Sequence, residues 1–287
     1  MTSPIFFAGA GELAALAVGS IFVLGGAEGR HASTVKRLGA GERIDLVDGA
    51  GRRVTGVVRS AGGGELTLLV DGVSVEPGPA LRLVLVQALA KGDRDELAIE
   101  TATELGADGF VPWQAERSIV RWKGERAAKS LAKWRATVTS AAKQARRAWV
   151  PDVTEAVDTT ALLPHIQAAA LALILHEEAL LPLTVAVTQW RARDLTEQDL
   201  TGLDVKEQDL TGLDVKGGET ATLKPGTPGQ IREILILVGP EGGISPRELD
   251  LLTGAGAVQV RLGPHVLRSS TAGPAAVALL SVDLHRW

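Results

Sequence analysis

The sequence predicts two domains, a small β-barrel followed by a larger α/β domain. Residues 1–76 contain short alternating strands separated by glycine turns, a pattern typical of a small barrel. From residue 80 onward, aliphatic runs alternate with helical segments, and the run Ile234–Val238 fits a parallel strand covered on both faces. Between them, the proline- and glycine-rich segment 75–79 is typical of a linker. We therefore expect domains at 1–76 and 80–287.

Start signals locate two helices of the second domain. Asp93-Arg-Asp-Glu96 has the spacing of a capping box and predicts a helix that ends near Gly106. Ser245-Pro-Arg-Glu248 places serine at the N-cap and proline at the first helical position. The predicted strands are Arg43–Val47, Arg53–Val58 and Glu65–Val70 in the first domain, and Arg82–Gln87, Gly109–Trp113, Leu171–Leu175, Glu233–Val238 and Val258–Leu262 in the second.

The composition excludes several classes of function. Of 287 residues, 45% are hydrophobic and 22% charged, as in ordinary soluble globular proteins. The chain has no cysteine, which excludes disulfides, a cysteine nucleophile and thiolate metal sites. Its five histidines lack metal-ligand spacing, so we expect no metal. No apolar run reaches the roughly 18 residues of a membrane span, and the first residues lack a basic signal segment. We expect a cytoplasmic protein without a membrane partner.

The net charge of −4 hides two opposite blocks. Residues 117–150 contain ten lysines and arginines and one acid. Residues 194–219 contribute −6, so the rest of the chain carries +2. Within this acidic block, 197–206 recurs without change as 207–216. We interpret 194–230 as a solvated surface insertion that contains a local duplication, and we assign no role to the repeat.

Three predicted strand ends carry polar or glycine-rich sequences. They are Leu175–Glu178, Val238–Gly243 and Leu262–Ala272. Ligands of parallel α/β sheets bind beyond the carboxyl ends of the strands, where glycines let a ligand approach the backbone. Neither Gly-x-Gly-x-x-Gly after a strand nor a P-loop is present, so a Rossmann-type cofactor or a P-loop nucleotide is not expected.

These strand ends resemble the RsmE-type family, the ribosomal RNA small subunit (16S) uridine-N3 methyltransferases of the SPOUT class. The similar motifs are Leu175-His-Glu-Glu, Val238-Gly-Pro-Glu-Gly-Gly and Leu262-Gly-Pro-x-Val-Leu-Arg-x-x-Thr-Ala, in this order. Glu116-Arg-Ser118 and the segment from His31 to Leu38 are also similar. The resemblance implies a trefoil-knotted methyltransferase domain, an N-terminal PUA-like RNA-binding domain, S-adenosylmethionine as methyl donor, 16S rRNA as substrate and a homodimer.

The resemblance also implies the cofactor-binding residues. They come from the three strand ends: Leu175 and His176; Val238, Gly239, Pro240, Glu241 and Gly242; Leu262, Gly263, Val266, Leu267 and Thr271. We place Arg268 near the reacting centre, where a guanidinium would stabilise negative charge on the uracil oxygens as N3 loses its proton. A phosphate contact or a structural ion pair is the alternative for Arg268. Glu241 is a candidate general base, although a role in loop geometry fits it better.

This sequence departs from the family pattern at two places. Ser270 stands where the family often has glutamate, and Gly273-Pro274 is expected to interrupt the last helix. These departures keep open a second hypothesis, an RNA-binding or ribosome-assembly protein without catalysis. A third is a methyltransferase of the same class with another target, such as a tRNA ribose hydroxyl.

The basic block is the expected RNA-binding surface. From Glu125 the pattern is helical, and Arg126, Lys129 and Lys133 lie off the apolar stripe. A merely solvated cationic face is the alternative. The other expected phosphate contacts are Arg146 and Arg147 at the end of the run, and His31, Lys36, Arg37, Arg52 and Arg53 in the barrel. Four tryptophans are expected mainly in packing rather than in stacking on bases: Trp113, Trp122, Trp134 and Trp149.

Overall fold

The computed structural model describes residues 3–202 and 232–287, so most of the duplicated segment lies outside the described residues. The chain divides into two compact units, Met1–Pro79 with Lys133–Asp152, and Ala80–Ala132 with Val153–Trp287. The sequence-based division placed 133–152 in the second domain, whereas the structure groups this segment with the first unit. Backbone hydrogen bonds explain the grouping: the Gly51 amide donates to the Ala148 carbonyl at 3.1 Å, and the Val150 amide donates to the Gly49 carbonyl at 3.0 Å.

The first unit is built on a five-stranded sheet in the order β1-β3-β4-β5-β2. All pairs are antiparallel except β1 with β3. Its elements are β1 (Ile5–Phe7), β2 (Ile21–Leu24), α1 (Gly26–Arg30) with a π-helical turn at His31–Val35, β3 (Arg43–Val47), β4 (Arg52–Gly62) and β5 (Glu65–Val75). The last two strands are longer than predicted, because β4 and β5 pair along their whole length through two bulges.

Alternating apolar residues of these strands form the core of the first unit. Ile44 and Leu46 of β3 meet Val54 and Val58 of β4, and all four are buried. Phe6 and Leu13 close the same cluster. The period-two pattern of the sequence therefore identified the buried faces of β3 and β4 correctly.

The second unit contains a seven-stranded sheet in the order β12-β10-β11-β6-β7-β8, with β9 beside β7. Strands β12, β10, β11, β6 and β7 are parallel. The elements are β6 (Leu81–Ala88), α2 (Arg94–Glu104), β7 (Gly109–Gln114), β8 (Asp152–Val153), β9 (Val157–Asp158), α4 (Thr159–Ala168), β10 (Leu171–Leu175), α5 (Leu183–Gly202), β11 (Arg232–Val238), α6 (Pro246–Gly254), β12 (Val258–Val260) and α7 (Ser269–Asp283). Helix α3 (Glu125–Gln144) spans the boundary between the units.

Both faces of the parallel sheet are covered. Leu235 and Leu237 of β11 lie in a cluster with residues of α4 and α6, whereas α2 and α7, whose buried residues include Ala98 and Val277, contact β6. Every residue of the run Ile234–Val238 is at most 3% exposed. The aliphatic run predicted this double coverage, and the α/β prediction is confirmed. The trefoil knot implied by the resemblance stays a prediction.

Helix α2 forms where it was predicted, but two details of the helix predictions were wrong. Asp93 has a left-handed backbone (φ 60°) and its side chain makes no capping hydrogen bond, so the expected capping box of α2 does not form. Helix α7 runs without interruption through Gly273-Pro274. Proline costs one helical hydrogen bond. A Cβ on Gly273 would lie 2.8 Å from Leu85 Cδ1 of β6, so a larger residue there would displace the Leu85 side chain. The pair thus lets α7 approach the sheet closely.

The first residues of the expected insertion are also ordered differently from the prediction. Helix α5 continues to Gly202, so 194–202 is helical rather than a loop. The half-buried carboxylate of Asp194 pairs with Arg232 at the start of β11. Within the described ranges 3–202 and 232–287, no helix is long and apolar enough to cross a membrane.

Candidate functional site

The three polar strand ends are neighbours at the carboxyl edge of the parallel sheet. Leu175, the last residue of β10, is in register with Val238 on one side and with Val260 on the other. Strand β12 ends two residues earlier than predicted, because the Arg261 carbonyl accepts a hydrogen bond from the Leu183 amide at 3.0 Å. The loops after β10, β11 and β12 therefore leave one edge side by side.

A pocket lies between the loops after β10 and β12. Six of the predicted cofactor residues line it: Leu175, His176, Leu262, Gly263, Val266 and Leu267. The remaining lining residues are Glu177, Arg261, Pro264, His265 and Ala272. The side chain of Val266 is 77% exposed and that of Leu267 39% exposed. Exposed apolar side chains on the wall of a pocket are an arrangement that a partly apolar ligand would cover.

The glycine-rich loop after β11 does not line this pocket, although it starts from the neighbouring strand. A Cβ on Gly239 would lie 2.6 Å from Ile244 Cγ1, and Gly243 has φ +72°. Both positions therefore require glycine. Gly242 is less restricted, because its Cβ position is 3.4 Å from Arg117 Cβ and no positive φ applies. The predicted residues Val238, Pro240 and Thr271 also lie outside the pocket lining.

Two arginines hold the tip of the glycine loop. Arg94 Nη1 donates to the Glu241 carboxylate at 3.0 Å, and Arg117 Nη1 donates to the Gly242 carbonyl at 3.0 Å. The ion pair is the structural role that fits Glu241. This loop is therefore fixed by contacts of its own unit.

A buried carboxylate joins the glycine loop to the loop after β7. Glu248 is fully buried and accepts from the Thr159 hydroxyl at 2.6 Å, the Glu116 amide at 2.8 Å and the Ser245 amide at 3.2 Å. The Ser245 hydroxyl accepts from the Glu248 amide at 3.1 Å, so the N-cap predicted at Ser245 is confirmed and forms a capping box with Glu248. The Ser245 hydroxyl also donates to Glu116 at 2.6 Å. This bond, together with Arg247, keeps the pKa of Glu116 below its ordinary value.

Arg268 is the N-cap residue of α7, at the end of the loop after β12. Its carbonyl accepts from the amides of Thr271 and Ala272, while its side chain is exposed. Among the described residues, its guanidinium makes no hydrogen bond or ion pair. Ser270 is buried in the first turn of α7. The guanidinium of Arg268 is therefore available to a ligand at this edge.

The expected RNA-binding face of α3 is exposed. Arg126, Lys129 and Lys133 are exposed, whereas Leu131 and Trp134 of the apolar stripe are at most 5% exposed. Arg146 is exposed and Arg147 is half-buried. The sequence periodicity thus separated the two faces of this helix correctly.

In the barrel, the structure corrects the prediction for Arg53. Its guanidinium pairs with Glu76 at 2.7 Å and with Asp45 at 3.0 Å, and donates to the Arg146 carbonyl at 2.9 Å. Arg53 therefore binds its own unit rather than phosphate. Arg52 also donates inward, to the Leu16 carbonyl at 3.3 Å. Lys36 and Arg37 remain exposed.

His31 and the tryptophans are mainly packing residues. The His31 ring meets Phe6 edge-on, with centroids 5.9 Å apart, and its Nδ1 lies 3.4 Å from Lys143 Nζ. The side chains of Trp113, Trp122 and Trp134 are buried, and Trp149 donates to the Glu76 carbonyl at 2.9 Å. Packing was the expected use of the tryptophans, whereas His31 was expected to contact phosphate; the contacts of His31 with Phe6 and Lys143 support packing instead.

Sequence reasoning missed the loop after β7 as part of this edge. In this loop Arg117 bonds the Gly242 carbonyl of the glycine loop, and Glu116 accepts from the Ser245 hydroxyl. Ser118 is buried. Arg121 follows, bonded to the carbonyls of Gln114 and Glu116. The available signal was position: Glu116-Arg-Ser118 follows the predicted strand Gly109–Trp113, so it is a fourth polar strand end. Among the described residues, no group of three or more potential metal ligands occurs.

Comparisons with known proteins identify the class. The family model for an RNA methyltransferase domain matches residues 77–201 and 206–281 of the sequence. The family model for an RNA methyltransferase PUA domain matches residues 24–71. Fold and site thus define an RNA methyltransferase with an accompanying PUA domain. Ribosomal RNA small subunit methyltransferase E of Mycobacterium bovis is 40% identical over 273 residues, covering 94% of this chain and 89% of the relative. The chain belongs to the ribosomal RNA small subunit methyltransferase E family.

Solved structures agree with this assignment. The Neisseria gonorrhoeae ribosomal RNA small subunit methyltransferase E, bound to S-adenosyl methionine, superposes with a TM-score of 0.71 at 25% identity, covering 98% of both chains. A Legionella pneumophila structure described as a putative methyltransferase shares the fold, with a TM-score of 0.72 at 24% identity and coverage of 99% and 98%.

Proposed function

We propose that this protein transfers a methyl group from S-adenosylmethionine to N3 of one uridine in 16S rRNA of the small ribosomal subunit. The observation that carries the proposal is the edge where three strand ends, in register, present the family's motifs. Membership of the small subunit methyltransferase E family supplies the substrate class.

The pocket residues fit the cofactor chemically. Leu175, Leu262 and Val266 offer apolar surface for an adenine ring, while loop backbone and the side chains of His176 and Glu177 offer hydrogen-bonding groups. The glycine loop contributes backbone held in place by Arg94 and Arg117. When bound, S-adenosylmethionine supplies an electrophilic methyl group.

The residues of this chain orient the nucleotide and stabilise charge. Arg268, exposed at the N-cap of α7, stabilises the negative charge that develops on the uracil O2 and O4 atoms as N3 loses its proton. The protein holds N3 in line with the methyl group. Glu241 is not assigned as the base, because Arg94 occupies its carboxylate.

RNA is held by exposed cations of α3 and the barrel. Arg126, Lys129 and Lys133 lie on one exposed helix face, and Lys36 and Arg37 add charge in the PUA-like domain. Replacing the three α3 cations by alanine weakens RNA binding and flattens its log–log salt dependence by up to about 2–3 units. Alanine preserves the helix. An unchanged salt slope would show that this face is only solvated.

We also assign a homodimer and a cytoplasmic location, where ribosomal RNA is modified. Helix α7 exposes Leu279 (40%) and Val282 (57%), which lie three positions apart on one face. Leu180, 89% exposed, precedes α5, which packs on α7. A monomeric mass by light scattering at micromolar concentration would contradict the dimer.

Two measurements test the activity. Calorimetry is expected to detect S-adenosylmethionine binding; its absence would favour an RNA-binding assembly protein without catalysis. In a deletion strain, mass mapping of 16S rRNA is expected to show one uridine that has lost a methyl group. Loss of a tRNA methyl group instead would indicate a different target.

A further inference from the structure

Two arginines beside the glycine loop, Arg117 and Arg121, bond backbone carbonyls, whereas the neighbouring arginines pair with carboxylates. Within residues 3–202 and 232–287, Arg117 bonds only the Gly242 carbonyl, and Arg121 bonds only the carbonyls of Gln114 and Glu116, at 3.1 and 2.8 Å. By contrast, Arg94 pairs with Glu241, and Arg247 with Glu116. Glu241 and Glu116 thus pair directly with Arg94 and Arg247. The charge of Arg117 helps to lower the pKa of Glu116, but neither Arg117 nor Arg121 makes a direct ion pair among the described residues.

The guanidiniums of Arg117 and Arg121 lie against neighbouring backbone. Arg121 donates to the Glu116 carbonyl, which belongs to the residue just before Arg117. Arg117 donates to the Gly242 carbonyl of the glycine loop. Both side chains are exposed. Together they place two positive charges at the carboxyl edge of the sheet, beside the proposed methyl-transfer site.

Carbonyl anchoring prepares a guanidinium to bind an anion. The anchor fixes the side chain and so reduces the entropy lost on binding, but it leaves the charge intact. Arg117 donates from Nη1 alone, so Nε and Nη2 remain for a bidentate contact. The chain as a whole is negative, so a polyanion must be attracted by local positive surfaces.

We propose that Arg117 and Arg121 form a phosphate-binding pair that holds the backbone of the RNA substrate beside the glycine loop. The inference rests on the proposed function for the identity of the polyanion. It adds a contact on the methyltransferase domain, separate from α3 and from the barrel, that brings the target nucleotide to the cofactor edge.

The test compares Arg117→Gln, Arg121→Gln and their combination with the parent protein. The probe is unmodified 16S rRNA transcript, and the readouts are RNA affinity across a salt series and S-adenosylmethionine affinity by calorimetry. Each single change is expected to flatten the salt slope by up to about 0.7–0.9 units, and the double change by up to about twice that. Arg121→Gln is expected to keep S-adenosylmethionine affinity within twofold of the parent, whereas Arg117→Gln, which also releases the Gly242 carbonyl, is expected to lower RNA affinity more than S-adenosylmethionine affinity.

Arg193→Gln is the matched control. Arg193 is an exposed arginine of the same unit, next to Asp194, which pairs with the first residue of β11. The glycine loop follows the last residue of that strand, about 20 Å away at ~3.3 Å per residue. The control is expected to leave the slope unchanged. Arg117→Lys with Arg121→Lys, which keeps both charges, is expected to recover most of the slope.

The outcomes separate the inference from the proposed function. An unchanged slope in the folded double variant, or a loss equal to that of Arg193→Gln, would overturn the phosphate pair. Equal losses of cofactor and RNA affinity would also overturn it, because Arg117 would then only support the loop. Failure of the parent to methylate the transcript would instead contradict the proposed function, and the slopes would still be measurable.

Discussion

The two ends of β11 are both closed by an arginine–carboxylate pair, yet the sequences beyond them differ completely. At the first residue, Arg232 pairs with Asp194 and its guanidinium lies 5.7 Å from the Trp190 ring. Beyond the last residue, Arg94 pairs with Glu241. The first pair joins the borders of a segment that repeats itself unchanged, whereas the second fixes a loop in which Gly239 has no room for a side chain.

This difference shows what marks a site. An ion pair alone does not, because exposed and half-exposed pairs contribute little and occur at both ends. Among the described residues, the steric restriction at Gly239 and the buried Glu248 network occur at the carboxyl end and not at the amino end. The following changes test whether the two ends differ in function as they differ in construction.

The largest effect is expected from Gly239→Val. Its Cβ would lie 2.6 Å from Ile244 Cγ1, so the loop has to move. Overpacking of this kind costs about 1–3 kcal/mol of stability. We expect S-adenosylmethionine affinity to fall at least tenfold, measured by calorimetry on the folded variant at low temperature.

Gly263→Ala provides the matched comparison. Gly263 lines the pocket, and its Cβ position has no neighbour within 4 Å. This variant is expected to keep its stability and to lose only cofactor affinity. If Gly239→Val binds the cofactor as the parent does, the glycine loop is not part of the site.

Removal of the α6 cap is expected to have the next largest effect. Ser245→Ala removes the acceptor of the Glu248 amide and the donor to Glu116. An N-cap serine contributes about 0.5–2 kcal/mol. Urea unfolding is expected to show a loss in this range, whereas Ser74→Ala, at an exposed strand position, is expected to show almost none. Equal losses in both would contradict the assigned cap.

The sequence predicted the carboxyl end of β11 better than the amino end, because local patterns report burial and caps but not contacts between residues distant in sequence. Double burial of β11 and the cap at Ser245 follow from local patterns, and both are confirmed. The helical start of the insertion was missed because its acidic, repetitive composition is typical of a solvated segment. That composition does not predict the ion pair between Asp194 and Arg232. The pairs of Arg53 and the carbonyl anchors of Arg117 join residues distant in sequence, and local patterns do not report such contacts.

A pH-dependent effect is expected from Glu116. Its pKa is lowered in the folded protein by the Ser245 hydroxyl and by Arg247. The carboxylate therefore stabilises the fold above its unfolded pKa, and this contribution is lost as pH falls through the lower folded value. The stability difference between parent and Glu116→Gln is expected to shrink between about pH 5 and pH 3. A difference that stays constant with pH would show that this carboxylate does not contribute through its charge.

The smallest effect is expected from deletion of 203–231, which lies outside the described residues. A bridge of about six glycine and serine residues would join Gly202 to Arg232. Each halving of the length of a connecting segment changes its closure cost by only about 0.6 kcal/mol, and this replacement amounts to a little over two halvings, so stability is expected to change by about 1.4 kcal/mol or less. Methyl transfer is expected to remain at the parent rate. Arg232→Gln serves as control and is expected to cost the same stability with and without the segment, because its partner Asp194 is retained. If the deletion abolished methyl transfer, the segment before the amino end of β11 would be needed for activity. The two ends of β11 would then not differ in function.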